Sequence, residues 1–226
     1  QVRQRTEALQ AANQRLQDAS FTDDLTQLRN RRYLSLHIPS DIALNRRMAA
    51  NDQDMLSSGM LFALIDIDHF KSINDRGGHH TGDAVLQQMA QLLVRLTRES
   101  DYVVRWGGEE FLLVLRSAPR ENLTVAAERL CRAIAAHSFA LEHGRQSQIT
   151  CSIGLAEFPF VHDPDNLLGW EQLLVLADRA LYQAKAKGRN GWAAYRPVLG
   201  AQAEQVLAAL QEPLGQMQRH ACLTLV

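Results

Sequence analysis

The run Met60-Leu61-Phe62-Ala63-Leu64-Ile65 contains no polar residue and ends in Asp66-Ile67-Asp68. It is short and partly β-branched, so it reads as a strand buried on both faces. Such a strand needs company. Tyr102 to Arg105 and Phe111 to Leu115 read as two more strands, joined by the hairpin signature Trp106-Gly107-Gly108-Glu109-Glu110. Ile149 to Ala156 and residues 192–195 read as two further strands. Between them lie helical patterns. One follows a turn at Asp23-Asp24-Leu25-Thr26 and runs toward Ala50. A polar loop over residues 51–59 separates it from the first strand. Another, residues 81–97, puts Val85, Met89, Leu92, Leu93 and Leu96 on one face. A third is capped by Asn122 and reaches about Ala136. The last, Trp170 to Lys187, stops at Gly188. The order α-β-α-β-β-α-β-α-β predicts an α/β sandwich, a central mixed sheet flanked by helices.

Two stretches stand outside this pattern. Over residues 1–20, Val2, Leu9 and Leu16 repeat every seven positions, with Thr6, Asn13 and Ser20 on the other seam. That predicts a weak coiled-coil stalk or a solvated helix. Residues 197–226 hold an amphipathic stretch, Ala203 to Leu210, and then Pro213, and read as a helical tail. The globular part is thus expected over residues 21–196.

Composition narrows the function classes. Apolar residues at 46% and charged residues at 22% exclude a disordered chain. With 24 basic and 25 acidic side chains, the chain is not built to coat nucleic acid. Cys131, Cys151 and Cys222 fit no metal spacing and no disulfide framework, which suits a reducing compartment. No apolar run approaches the roughly 20 residues that span a bilayer. The chain starts at Gln1 without a visible signal peptide. A piece of a longer protein, cytoplasmic and with a missing part upstream, is therefore expected; membrane attachment of the longer protein is left open.

The chemistry concentrates where strands end. Asp66 and Asp68 close a buried strand, and a carboxylate there must be paired or bound to metal. Hard oxygen ligands suit Mg2+, which takes one or two carboxylates and shares substrate phosphates. Glu109 and Glu110 follow two glycines that allow a tight turn and close approach of a ligand. Between Asp66 and the next helix, a loop carrying Lys71 and the pair Gly77-Gly78 offers a lysine and backbone N–H groups for phosphates. Asn74 and Asp83 could read a purine edge: guanine offers N1–H and N2–H donors that a carboxylate accepts in pairs, and acceptors for an amide, whereas adenine lacks those two donors. Lys185 and Arg189 form a basic helix end. Ordinary surface carboxylates, and cations favoured at a helix C-terminus, remain the alternatives at this level.

Taken together, the motifs resemble those of the GGDEF family of diguanylate cyclases, in the GGEEF variant. The resemblance covers about residues 21 to 195. It rests on Asp24-Leu25-Thr26-x-Leu28-x-Asn30-Arg31-Arg32, on Asp66-Ile67-Asp68-His69-Phe70-Lys71-x-Ile73-Asn74-Asp75, and on Gly78-His79-x-x-Gly82-Asp83. It continues through Arg105-Trp106-Gly107-Gly108-Glu109-Glu110-Phe111, Ser152-Ile153-Gly154 and Ala180-Leu181-Tyr182-x-Ala184-Lys185-x-x-Gly188-Arg189-Asn190. All occur in order. Two positions depart from the family's usual pattern: Gly77 replaces a bulky apolar residue, and His80 a polar or acidic one.

The resemblance implies a fold like the palm of polymerases and the nucleotide-cyclase core. It implies that Asp66, Glu109 and the Ile67 carbonyl hold Mg2+, with Mn2+ as a substitute, and that Glu110 assists. Asn74 and Asp83 would bind guanine; Phe70, Lys71, His79, Lys185 and Arg189 would complete the GTP site. Arg98-Glu99-Ser100-Asp101 resembles the family's inhibitory RxxD site for cyclic di-GMP, with Arg129 as a second basic contact. The expected reaction condenses two GTP into cyclic di-GMP and two pyrophosphates. Each domain offers half a site, so a homodimer is expected, controlled by an upstream sensor. A silent domain that only binds nucleotide, and a cyclase accepting ATP, are the competing readings. Asp83 speaks against the second.

Overall fold

The computed structural model describes residues 21–51, 58–119, 123–213 and 221–226. The helical pattern of residues 1–20 and the capping role of Asn122 fall outside these residues. Strand β1 (Arg29–Asn30) leads into α1 (Arg31–Asn51), then β2 (Ser58–Ile67), α2 (Phe70–Leu96), β3 (Tyr102–Gly107) and β4 (Glu110–Pro119). There follow α3 (Leu123–Ala136), the short strands β5 (Ser138–Ala140) and β6 (Gln146–Gln148), β7 (Cys151–Phe158), α4 (Trp170–Ala186), β8 (Gly191–Pro197), α5 (Ala203–Leu210) and β9 (Leu223–Leu225). Seven strands make one sheet in the order β1-β3-β4-β2-β7-β8-β9, and β5 and β6 pair separately. The sheet is mixed: β2 runs antiparallel to both β4 and β7, whereas β7 and β8 are parallel.

The apolar run behaves as a central strand must. Met60, Phe62 and Leu64 enter the core formed with α1, α4 and α5. Leu61, Ala63, Ile65 and Ile67 enter the other core, with α2 and α3. Alternation along the strand thus places Asp66 on the face of Phe62 and Leu64, toward α4. This is the expected sandwich, with helices on both faces.

Several boundaries differ from the sequence reading. The stretch read as a phosphate loop is helical from Phe70, because Phe70 is buried and Ile73 packs against the α2–α3 core. The N–H groups of Ser72 and Ile73 already bond to the His69 carbonyl. Gly77-Gly78 therefore do not form a cradle at the strand end. They mark a kink inside α2, where Gly78 takes φ 77°. The residues read as a tail also differ: α5 buries Val206 and Ala209, and β9 pairs with β8 as an edge strand. Strand β7 starts at Cys151 rather than Ile149, after the unforeseen β5–β6 pair. Among the described residues no helix is long and apolar enough to cross a membrane.

Candidate active site

Strand pairing alone brings the acidic residues together. Asp66 lies opposite Glu110 across the β2–β4 ladder and opposite Ser152 across the β2–β7 ladder. The Ile67 N–H donates to the Glu109 carbonyl at 3.4 Å, which holds the hairpin against the end of β2. The Lys185 ammonium reaches in from α4, with Nζ 2.7 Å from Asp66 Oδ2. That reach depends on Gly154 of β7. A Cβ there would collide with the Ala177 carbonyl oxygen and the Leu181 backbone nitrogen, so only glycine lets α4 lie this close to the sheet.

The hairpin is braced by residues that the sequence reading left as motif letters. The Arg105 guanidinium donates to the Gly108 carbonyl from Nη2 at 2.8 Å and from Nε at 3.3 Å, while Nη1 meets Asp23 Oδ1 at 3.0 Å. Asp23 Oδ1 also accepts from the Thr26 N–H at 2.8 Å and the Thr26 hydroxyl at 2.6 Å. The turn before α1 is thereby fastened to the Gly107-Gly108 turn. Neither of those glycines takes a positive φ, so tight turning is not what requires them. A Cβ at Gly108 would meet only open space, which leaves that side of the turn free for a ligand.

The carboxylates repel one another. Burial raises the Asp66 pKa; Lys185 opposes the rise, the neighbouring Asp68 charge adds to it, and Arg189 opposes it further. Burial, and then the Asp66 charge, raise Glu109. Burial also raises Glu110, with Asp66 and Asp178 adding to it. Three acids thus share one region with one ammonium in contact. Among the described residues no group of three or more His, Cys, Asp or Glu side chains is placed to hold a metal ion. Asp66 and Glu109 are instead two neighbouring carboxylates at an open strand end, and they could serve as donors together with the main-chain carbonyl of Ile67. That open, hard-oxygen arrangement fits a divalent cation that keeps positions for substrate phosphates.

Asp68 is different. It is buried and accepts hydrogen bonds from the Thr150 hydroxyl (2.7 Å), the Ser152 hydroxyl (2.7 Å) and the Asn190 N–H (2.9 Å). It ties the ends of β2 and β7 to the turn after α4.

Across the kink of α2, Asn74 meets Gly82, the residue before the second guanine candidate, Asp83. The Asn74 side chain presses on Gly82, where a Cβ would collide with Asn74 Oδ1 and crowd the Phe70 ring. Asn74 Oδ1 is buried without a hydrogen-bond partner, a state that costs about 1–3 kcal/mol. Asp83 follows directly and is half-buried. Lys71, His79 and Arg189 are exposed, while Lys185 is partly buried.

The RxxD residues lie at the other end of β3. Asp101 Oδ2 accepts from the Arg98 N–H and Oδ1 from the Arg116 N–H, each at 2.9 Å. Its carboxylate thus shapes the turn, and no ion pair joins it to the exposed Arg98 guanidinium among the described residues. Arg129 donates to the Leu96 carbonyl at 3.2 Å, which brings α3 beside this turn.

The model of the diguanylate cyclase GGDEF domain matches residues 20–191. The chain belongs to the GGDEF family. Diguanylate cyclase DosC of Escherichia coli K12 is 37% identical over 168 residues, which cover 74% of this chain and 34% of DosC. This GGDEF domain thus spans about a third of that relative's length. Among solved structures, the coiled coil and GGDEF domain of DgcB from Caulobacter crescentus, in complex with c-di-GMP, aligns with a TM-score of 0.71 at 25% identity, covering 84% of this chain and 93% of that one. The active GGEEF domain of a diguanylate cyclase from Vibrio cholerae aligns with a TM-score of 0.57 at 33% identity, covering 73% and 95%.

Proposed function

We propose that this GGDEF domain condenses two GTP into cyclic di-GMP and two pyrophosphates. One observation carries the reading: Asp66, Glu109 and Glu110 crowd the strand end that Lys185 reaches from α4, while an unpartnered Asn74 oxygen lies against Gly82, next in sequence to Asp83. One half of the site suits phosphates and a cation, the other a purine edge.

Asp66, Glu109 and the Ile67 carbonyl would hold Mg2+, or Mn2+ in its place. Such an ion supplies charge neutralisation on the triphosphate and lowers the pKa of an oxygen bound to it. The chain's own groups do the positioning. Asn74 and Asp83 fix the base, with Phe70 as an apolar wall and His79 nearby. Lys71, Lys185 and Arg189 neutralise phosphate oxygens. The 3′-oxygen of one GTP forms a bond to the α-phosphorus of the other, the bond from that phosphorus to the β-phosphate bridge breaks, and pyrophosphate leaves. Glu109 takes the 3′-hydroxyl proton, with Glu110 adding negative charge beside it. Each domain orients one GTP, so the two-bond product requires two domains face to face. Holding the reactants in line supplies most of the acceleration.

Arg98 and Asp101, with Arg129, form the candidate site for product inhibition. Strand β3 separates them from the hairpin by about 20 Å at roughly 3.3 Å per residue. Product there acts without displacing GTP.

The test is incubation of the chain with GTP and Mg2+, then Mn2+, and chromatographic identification of the products. Cyclic di-GMP and pyrophosphate in a 1:2 ratio are expected. Nucleotide binding without turnover in either metal would replace the proposal with a silent binding domain.

A further inference from the structure

A cavity of about 620 Å³ lies outside the site described above. One wall is the face of α2 that carries Ser72, Ile73 and Arg76; the other is β6 with Leu141, Arg145, Ile149 and Thr150 beside it. Phe70, Lys71, Asn74 and Asp83 do not line it. Its volume falls in the range of small-molecule sites, roughly 300–1,000 Å³. Gly77 lines it. A Cβ at Gly77 would lie 2.6 Å from Thr81 Oγ1, and the Thr81 hydroxyl already donates to the Gly77 carbonyl at 2.7 Å. This part of the wall therefore projects no side chain of its own.

The lining has a distinct chemistry. Ile73, Leu141 and Ile149 provide apolar surface, and Arg76 and Arg145 provide positive charge. Among the described residues neither guanidinium has a carboxylate partner; that of Arg145 bonds only to the Glu142 carbonyl, through Nε at 3.5 Å. The one carboxylate lining the cavity, Asp68, is already occupied by Thr150, Ser152 and Asn190. A guanidinium pairs with planar anions and also stacks on rings. We propose that this cavity binds a small aromatic carboxylate or sulfonate, at a site separate from the nucleotide's. A triphosphate is a poor match, because only two guanidinium groups face the cavity and they cannot balance its several negative charges.

The test uses 1-anilinonaphthalene-8-sulfonate with the full chain, in the absence of GTP and metal. Saturable fluorescence enhancement at one site per chain is expected. Arg76→Glu combined with Arg145→Glu changes only exposed side chains and should weaken the probe at least tenfold with an unchanged melting temperature. Ile73→Trp enlarges a side chain that lines the cavity and should weaken binding at least tenfold; if that variant does not fold, the charge-reversed one decides. GTP should not displace the probe. Non-saturating enhancement, equal affinity in the charge-reversed variant, or competitive displacement by GTP would each overturn the proposal.

Discussion

Asp66 near the end of β2 and Asp68 just past it are both buried, and they end in opposite electrostatic circumstances. Asp68 has three hydrogen-bond donors and no unmet demand. Asp66 has one ammonium and faces Glu109 and Glu110. A buried carboxylate that is fully satisfied holds structure. One that is left short of positive charge stores an interaction for something still to bind. The comparison therefore separates scaffold from chemistry within three consecutive residues, and it can be broken by substitution.

The largest effect is expected on turnover. Asp66→Asn or Glu109→Gln should lower cyclic di-GMP synthesis by about a thousandfold, the scale of losing one preorganised electrostatic group, while the melting temperature holds or rises. Near-normal rates from either variant would remove that residue from the metal site. Next in size is Asp68→Ala. It leaves two hydroxyls and an N–H without their acceptor and should cost about 3 kcal/mol of stability, read from urea midpoints. If Asp66→Asn destabilises more than Asp68→Ala, the division between the two aspartates fails.

A smaller, selective effect is expected at the purine half of the site. Asp83→Ala should weaken GTP by about 2 kcal/mol, in the range of a charge-assisted hydrogen bond, and leave ATP nearly unaffected. Equal losses for both nucleotides would mean that Asp83 does not read guanine.

How much of this was legible in sequence follows from what each residue depends on. Asp66 was legible because a carboxylate closing an apolar strand is costly whatever surrounds it. The two core faces were legible because alternation along β2 is a local property. The start of α2 was not: Asn74-Asp75-Arg76-Gly77-Gly78 has the composition of a turn, and only the burial of Phe70 with the packing of Ile73 makes it helical. Strands β5, β6 and β9 are three residues each, too short to show a period. The tie between Asp23 and Arg105 and that between Asp68 and Asn190 span 82 and 122 positions, so no local pattern announces them. Gly154 and Gly82 appeared only as letters of a motif. The structure gives their reason, the close approach of α4 in one case and of Asn74 in the other.

The finest contrast is in the dependence of stability on pH, where Asp66 and Asp23 should act with opposite signs. Burial raises the Asp66 pKa above the ordinary 3.8, so between those two values the folded chain binds a proton that the unfolded chain has released. Stability then increases as pH falls through this window, and the charged form at neutral pH works against folding. For Asp23, burial acts to raise the pKa, but the Thr26 hydroxyl, the Thr26 N–H and Arg105 together hold it below 3.8. Its contribution is present above the ordinary value and disappears as pH falls through the lowered one. Urea midpoints of the metal-free chain, measured from about pH 7 to about pH 3, should therefore start below those of Asp66→Asn and above those of Asp23→Asn; the Asp66 difference should close as pH falls toward 3.8, and the Asp23 difference should close only below 3.8. Saturating Mg2+ should reduce the Asp66 difference and leave the Asp23 difference unchanged, because a cation held by Asp66 favours its charged form. A Mg2+-insensitive Asp66 profile would separate the crowding of these carboxylates from metal binding, and the metal assignment would then lose its physical basis.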